Sequence, residues 1–168
     1  MKKILKIIFL IAILVIAAVL GVYINNKYLN PENVVKVYFV KYSKGQARIV
    51  SVNREVTPEN SKIKVAITEL LKGPSEEEKK KGFLSEIPEE TKLLGIKEDQ
   101  KEVVVDLSED FEYGGGSSSQ MVRVEQLVKT AMNASKKPVY LNIEGRRAEV
   151  IGGEGIMIKQ PLNKNSLK

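Results

Sequence analysis

Residues 7–24, IIFLIAILVIAAVLGVYI, carry no charged side chain, and an apolar run of about 18 residues is more than a core helix of a small domain needs. As an α-helix rising about 1.5 Å per residue it would extend about 27 Å, close to the hydrocarbon thickness of a bilayer. Ile4 and Leu5 lengthen it, and Lys6 has a stem long enough to lift its ammonium to the headgroups. A cleaved signal peptide has a shorter apolar stretch closed by a small-x-small site. Here Ala17 and Ala18 lie mid-run, followed by Val19 and Leu20. The expectation is an uncleaved transmembrane anchor at 7–24.

Lys2, Lys3 and Lys6 stand ahead of the run, and the positive-inside tendency makes residues 1–6 a cytoplasmic leader. The chain beyond the run is then extracytoplasmic, giving a single-pass protein of the cell membrane with the lipid bilayer as its first partner. Tyr23 and Tyr28 fall at the level of an interfacial aromatic belt. Residues 25–33, NNKYLNPEN, are polar and proline-broken and read as a stalk. Residues 34–151 suit one domain with one core, and the Gly-, Lys- and Asn-rich stretch 152–168 reads as a flexible tail.

Half of the net charge of +6 comes from the three leader lysines. The remainder is too mildly basic for a nucleic-acid partner, which calls for a clustered basic stripe. Cysteine and histidine are both absent. That excludes a thiol nucleophile, a disulfide, a histidine base, a Cys/His zinc site and a lipid-modified cysteine.

Residues 34–42 and 46–56 are rich in β-branched and aromatic side chains around Ser43, Lys44 and Gly45, the pattern of a β-hairpin. A helix is expected from Thr57, with Thr57 as cap, Pro58 in the first turn and Ile63, Ala66, Ile67, Leu70 and Leu71 on one face. Gly73 and Pro74 end it. SEEEKKKG at 75–82 reads as a solvated helical turn with Glu76–Glu78 paired to Lys79–Lys81. Strands are expected next at 92–96 and 102–107. A second helix runs from about Ser118 to Ala134, with Met121, Val124, Leu127, Val128, Ala131 and Met132 on its apolar face and Arg123, Gln126, Lys129, Thr130 and Asn133 opposite. Residues 139–143 and 148–151 are the last strands, around Gly145.

The segments VKVYFV, IVSVNREV, AITELLKGPSEEEKKKGFLSEIP, TKLLGI, VVVDLSEDF, EQLVKTA and VYLNIEG succeed one another in this order. Over residues 34–146 they resemble the GerMN domain family, a sporulation and spore germination domain; LLKGP before GFLSEIP, and VVVDLSEDF, are the most specific pieces. The resemblance implies an α+β fold, a mixed β-sheet with two main helices packed on it, similar to the ring-building modules of secretion-like assemblies. It brings no catalytic residue, and members are mostly exported and anchored. This chain departs in having one copy and an apolar helix where a lipidated cysteine would stand, so a sporulation role is not carried over.

Asp106, Glu109, Asp110 and Glu112 form the densest carboxylate cluster outside the charge run, but lack calcium-loop spacing. Asp106 is expected to accept bonds from the backbone amides next along the chain. Gly114–Gly116 and Ser117–Ser119 lack the Gly-Lys-Ser/Thr ending of a phosphate loop, leaving a flexible connection with Ser118 or Ser119 as helix cap. No catalytic, metal-binding or cofactor-binding residue is assigned, and no small-molecule substrate is expected. The reading is a non-catalytic, membrane-anchored interaction or scaffold module of the bacterial cell envelope, whose partner is an envelope protein or a second copy. Lys36, Lys41, Arg48 and Arg54 on the hairpin are the candidate contact residues, docking by strand edge or open sheet face. The alternative is a peptidoglycan- or acidic-polymer-binding domain using Lys79–Lys81, Arg146, Arg147 and Lys159.

Overall fold

The computed structural model describes residues 2–24, 33–57, 59–153 and 155–166. The chain divides into two units, Met1–Val34 and Val35–Lys168. Most of the expected stalk, and Pro58, lie outside the described residues.

The first unit contains helix α1, Lys2–Ile24. The described side chains from Ile8 to Tyr23 are all exposed. Among the described residues no helix is long and apolar enough to cross a membrane. This departs from the expected transmembrane span at 7–24.

The second unit opens with a hairpin of β1, Val34–Ser43, and β2, Gln46–Glu55. Lys44 and Gly45 occupy its two-residue turn with φ of 51° and 76°, the left-handed pair that matches strand twist, and glycine takes the second position without strain. Helix α2, Lys62–Lys72, starts at Ser61. The expected start at Thr57 is not used, because Thr57 closes a turn: its carbonyl and hydroxyl both accept from Asn60. Ile63, Ala66, Ile67 and Leu70 are its buried face, and Gly73 ends it. Helix α3, Glu76–Lys80, carries a complete capping box between Ser75 and Glu78.

The main sheet has the order β3-β4-β5-β6: Leu93–Glu98, Val103–Leu107, Val139–Ile143 and Arg146–Arg147. β3 and β6 run antiparallel to their neighbours, while β4 and β5 run parallel. That parallel pair requires a crossover, supplied by a short 3-10 helix, Glu109–Glu112, and helix α4, Ser117–Ala134. Val103, Val105 and Leu107 stand in register with Val139, Leu141 and Ile143, and all six are buried in the core with Val124, Leu127 and Ala131 of α4 and Ile67 and Leu70 of α2. Fully burying such a side chain contributes about 1.5–3 kcal/mol. The hairpin forms a second sheet and β7, Val150–Ile151, with β8, Ile156–Met157, a third. The fold is α+β as expected, with the strands distributed over three sheets instead of one.

Two expectations are corrected in α4. Its cap is Gly116, not Ser118 or Ser119. Arg123, Gln126 and Thr130, assigned to the solvent face, are buried, whereas Met121 and Met132, assigned to the core, are each 44% exposed. The stretch from Gly152, expected as a flexible tail, instead contributes Ile158 and Leu162 to the core and buries Ser166. Leu162 N–H donates to the Val139 carbonyl at 2.7 Å. Leu141 N–H donates to Gln160 Oε1 at 2.7 Å, and Gln160 Nε2 donates back to the Leu141 carbonyl at 2.9 Å. One glutamine side chain thereby stands in for a strand beside β5.

Candidate interaction site

The hairpin carries the four predicted contact residues, and its two edges differ. On β1 the outward backbone groups are taken. Lys36 N–H donates to Asn133 Oδ1 and Tyr38 N–H to Thr130 Oγ1, each at 3.0 Å. Gln126 Nε2 donates to the Tyr38 carbonyl at 3.1 Å. Val40 exchanges two backbone bonds with Leu84, at 2.9 and 2.8 Å. Gln126, Thr130 and Asn133 are spaced so that α4 offers a ladder of polar groups to the strand. The β1 edge is therefore closed to strand-edge docking. Among the described residues β2 pairs only with β1, so its far edge is the open one.

Lys36 and Arg48 are exposed. Lys41 Nζ lies 4.0 Å from the centroid of the Phe83 ring, a cation–π contact that leaves its charge at the surface. Arg54 does not belong with them. Its Nε reaches Glu69 at 3.2 Å and its two terminal nitrogens hold the Glu78 carboxylate at 2.8 and 2.7 Å. The fork raises the Arg54 pKa, chiefly through the Glu78 hydrogen bond, and the same bond holds Glu78 down at about 2. Arg54 pins α2 and α3 to the hairpin and is unavailable to a partner.

Beneath the hairpin lies a polar network that sequence reading missed. Glu86 accepts from the hydroxyls of Tyr42 and Ser119, and its hydrogen bond raises the Tyr42 pKa. Arg123, 2% exposed, donates to four backbone carbonyls: Glu86 at 2.8, Phe111 at 2.7, Tyr113 at 3.0 and Gly114 at 3.0 Å. Burial pushes its pKa down. The glycine run is shaped around this cage: a Cβ on Gly115 would stand 2.5 Å from Ser119 Oγ. An arginine fork can collect carbonyls from separate loops that no regular ladder reaches.

The remaining candidates are also placed. Asp106 accepts from Gly145 N–H at 2.9 Å, a cross-strand bond instead of the expected one to amides next along the chain. Asp110 accepts from the Ser108 hydroxyl at 2.8 Å. The Tyr113 pKa is raised, first by a hydrogen bond to Glu109. No group of three metal-ligating residues occurs among the described residues. Lys129 is paired with Glu125 at 2.8 Å. Of the alternative polymer-binding set, Lys79 is paired with Glu76 at 2.9 Å and Arg147 stacks 4.0 Å from the centroid of Tyr140.

Two concavities flank α4. One of about 830 Å³ is lined by Tyr38, Met121, Val122, Lys129 and Met132 among others. The other, about 560 Å³, lies over the arginine cage between Glu86, Glu90, Asp110 and Tyr113.

The parallel β4-α4-β5 crossover beside a side-chain-capped hairpin defines a small α+β module. The chain belongs to the Germane family, described as sporulation and spore germination, whose profile matches residues 36–149. Among curated proteins none matches significantly by sequence. The first GerMN domain of the sporulation protein GerM from Bacillus subtilis superposes with a TM-score of 0.62 at 20% identity, covering 79% of this chain and 98% of that one. The tandem GerMN domains of the same protein give 0.57 at 24% identity, covering 73% of this chain and 42% of that one. This chain therefore spans well under half the length of the tandem structure. A putative lipoprotein from Clostridium perfringens gives 0.48 at 17% identity, over 71% and 80% of the two chains.

Proposed function

We propose that this protein is a non-catalytic interaction or scaffold module of the bacterial cell envelope, held at the membrane by its N-terminal apolar segment and presenting the GerMN-type domain outside the cytoplasm. The observation that carries the reading is the asymmetry of the hairpin: β1 is closed by α4 and Leu84, while β2 has no second strand among the described residues. An unpaired edge offers N–H and C=O groups to an extended segment of another chain. Arg48 on β2, with Lys36 and Lys41 on β1, favours an acidic envelope protein and disfavours indiscriminate pairing. The uncharged run 7–24 and the lysines before it support membrane attachment with the domain outside. Assembly at a membrane also raises the effective concentration of weak contacts.

The test has two arms. An alkaline phosphatase fusion after Lys168 is expected to be active; an expressed but inactive fusion would overturn the orientation. In cells, a photo-crosslinking residue at Ser51 of β2 is expected to capture an envelope protein far more efficiently than one at Lys80 of α3. Capture at Lys80 with none at Ser51 would sink the edge.

A further inference from the structure

The seam of α4 left exposed beside β1 is charged in a self-complementary way. Met121 and Met132 are each 44% exposed, and between them Glu125 and Lys129 form an ion pair at 2.8 Å with side chains 43% and 44% exposed. Val122 fills the space beside Met121 in the same groove of about 830 Å³. These positions recur at three- and four-residue spacing, the geometry of a helix–helix seam. Reading along the helix, the order is apolar, acidic, basic, apolar.

We propose that this groove is the contact between two copies of the chain, with α4 packed antiparallel against α4 of the second copy about a two-fold axis midway between Glu125 and Lys129. In that arrangement each Glu125 faces Lys129 of the other copy, which closes a ring of four alternating charges. Met121 and Val122 at one end meet Met132 of the other copy at each end of the seam. The parallel arrangement sets Glu125 against Glu125 and Lys129 against Lys129, a like-charge contact that selects against it. A two-fold contact is isologous, so one patch suffices. One helix face is a small interface, so the contact is weak in free solution and strengthens where copies are concentrated. It uses a surface separate from the β2 edge and stands independently of it.

The chain has no cysteine of its own, so introduced thiols report on the seam alone. Full-length Met121→Cys and Met132→Cys chains are mixed in detergent and oxidised with copper phenanthroline. The mixed disulfide is expected to form about tenfold faster than either homo-disulfide or a control through Lys64→Cys, because only the aligned pair is held close. Homo-disulfides outrunning the mixed one, or equal rates at Lys64, would overturn the proposal. Charge reversal then separates contact from helix stability. With Glu125→Lys in both chains, or Lys129→Glu in both, the mixed disulfide should slow. With Glu125→Lys in one chain and Lys129→Glu in the other it should recover, although each chain has lost its internal ion pair. Failure to recover, with both variants still folded by melting, sinks the pairing.

Discussion

Helix α4 is buried on two sides by different means. Toward the main sheet it presents Val124, Leu127 and Ala131, which pack with the alternate valines, leucines and isoleucine of β4 and β5. Toward the hairpin it presents Gln126, Thr130 and Asn133, which bond to the backbone of β1. The first side is held by excluding water and tolerates substitutions that keep volume and apolarity. The second closes a strand edge that would otherwise template pairing with another chain, and it depends on donor and acceptor placement. Burial therefore did not require apolar side chains: Gln126 and Thr130 are buried with their partners on β1.

The largest expected effect lies at the arginine cage, a third, polar contact of α4. Arg123→Met removes a donor from four carbonyls at once and should cost about 4 kcal/mol in urea unfolding. Arg123→Lys should recover little of it, since an ammonium cannot reproduce the planar fork. On the apolar side Leu127→Ala, fully buried, should cost about 3 kcal/mol. A smaller loss for Arg123→Met than for Leu127→Ala would invert the comparison. Thr130→Val keeps the shape of the side chain but leaves Tyr38 N–H without its acceptor, and about 1.5 kcal/mol is expected.

Legibility in the sequence divides along the same line. The strands at Val103–Leu107 and Val139–Ile143 were legible because two-residue alternation is local, and the apolar face of α2 because its spacing is local too. Their parallel pairing was not, since register is settled between segments far apart in the chain. Periodicity also misplaced Gln126 and Thr130: it sorts residues by polarity, whereas their burial depends on Tyr38, 88 and 92 residues away. Among the candidate contact residues, nothing near Arg54 announces Glu69 and Glu78, 15 and 24 positions on. Gly- and Asn-rich composition hid the apolar anchors Ile158 and Leu162.

The smallest expected effect concerns the ion pair that ties α3 to the hairpin, and it can be isolated by pH. Arg54→Met should cost only about 0.5–1 kcal/mol at neutral pH, because the pair is partly solvated. Glu78 sits at about 2 in the fold against an ordinary 4.5. A depressed carboxylate contributes stability that is fully present above about 4.5 and is lost as pH falls through about 2. The stability gap between wild type and Arg54→Met should accordingly be flat at neutral pH and close on acidification across that window. Another contact acts on the same carboxylate, since Ser75 N–H donates to it at 2.8 Å. It survives in the variant. Urea unfolding of the two proteins at a series of pH values separates the contributions: a gap that closes assigns the depression to Arg54, and one that persists at low pH assigns it to the helix cap.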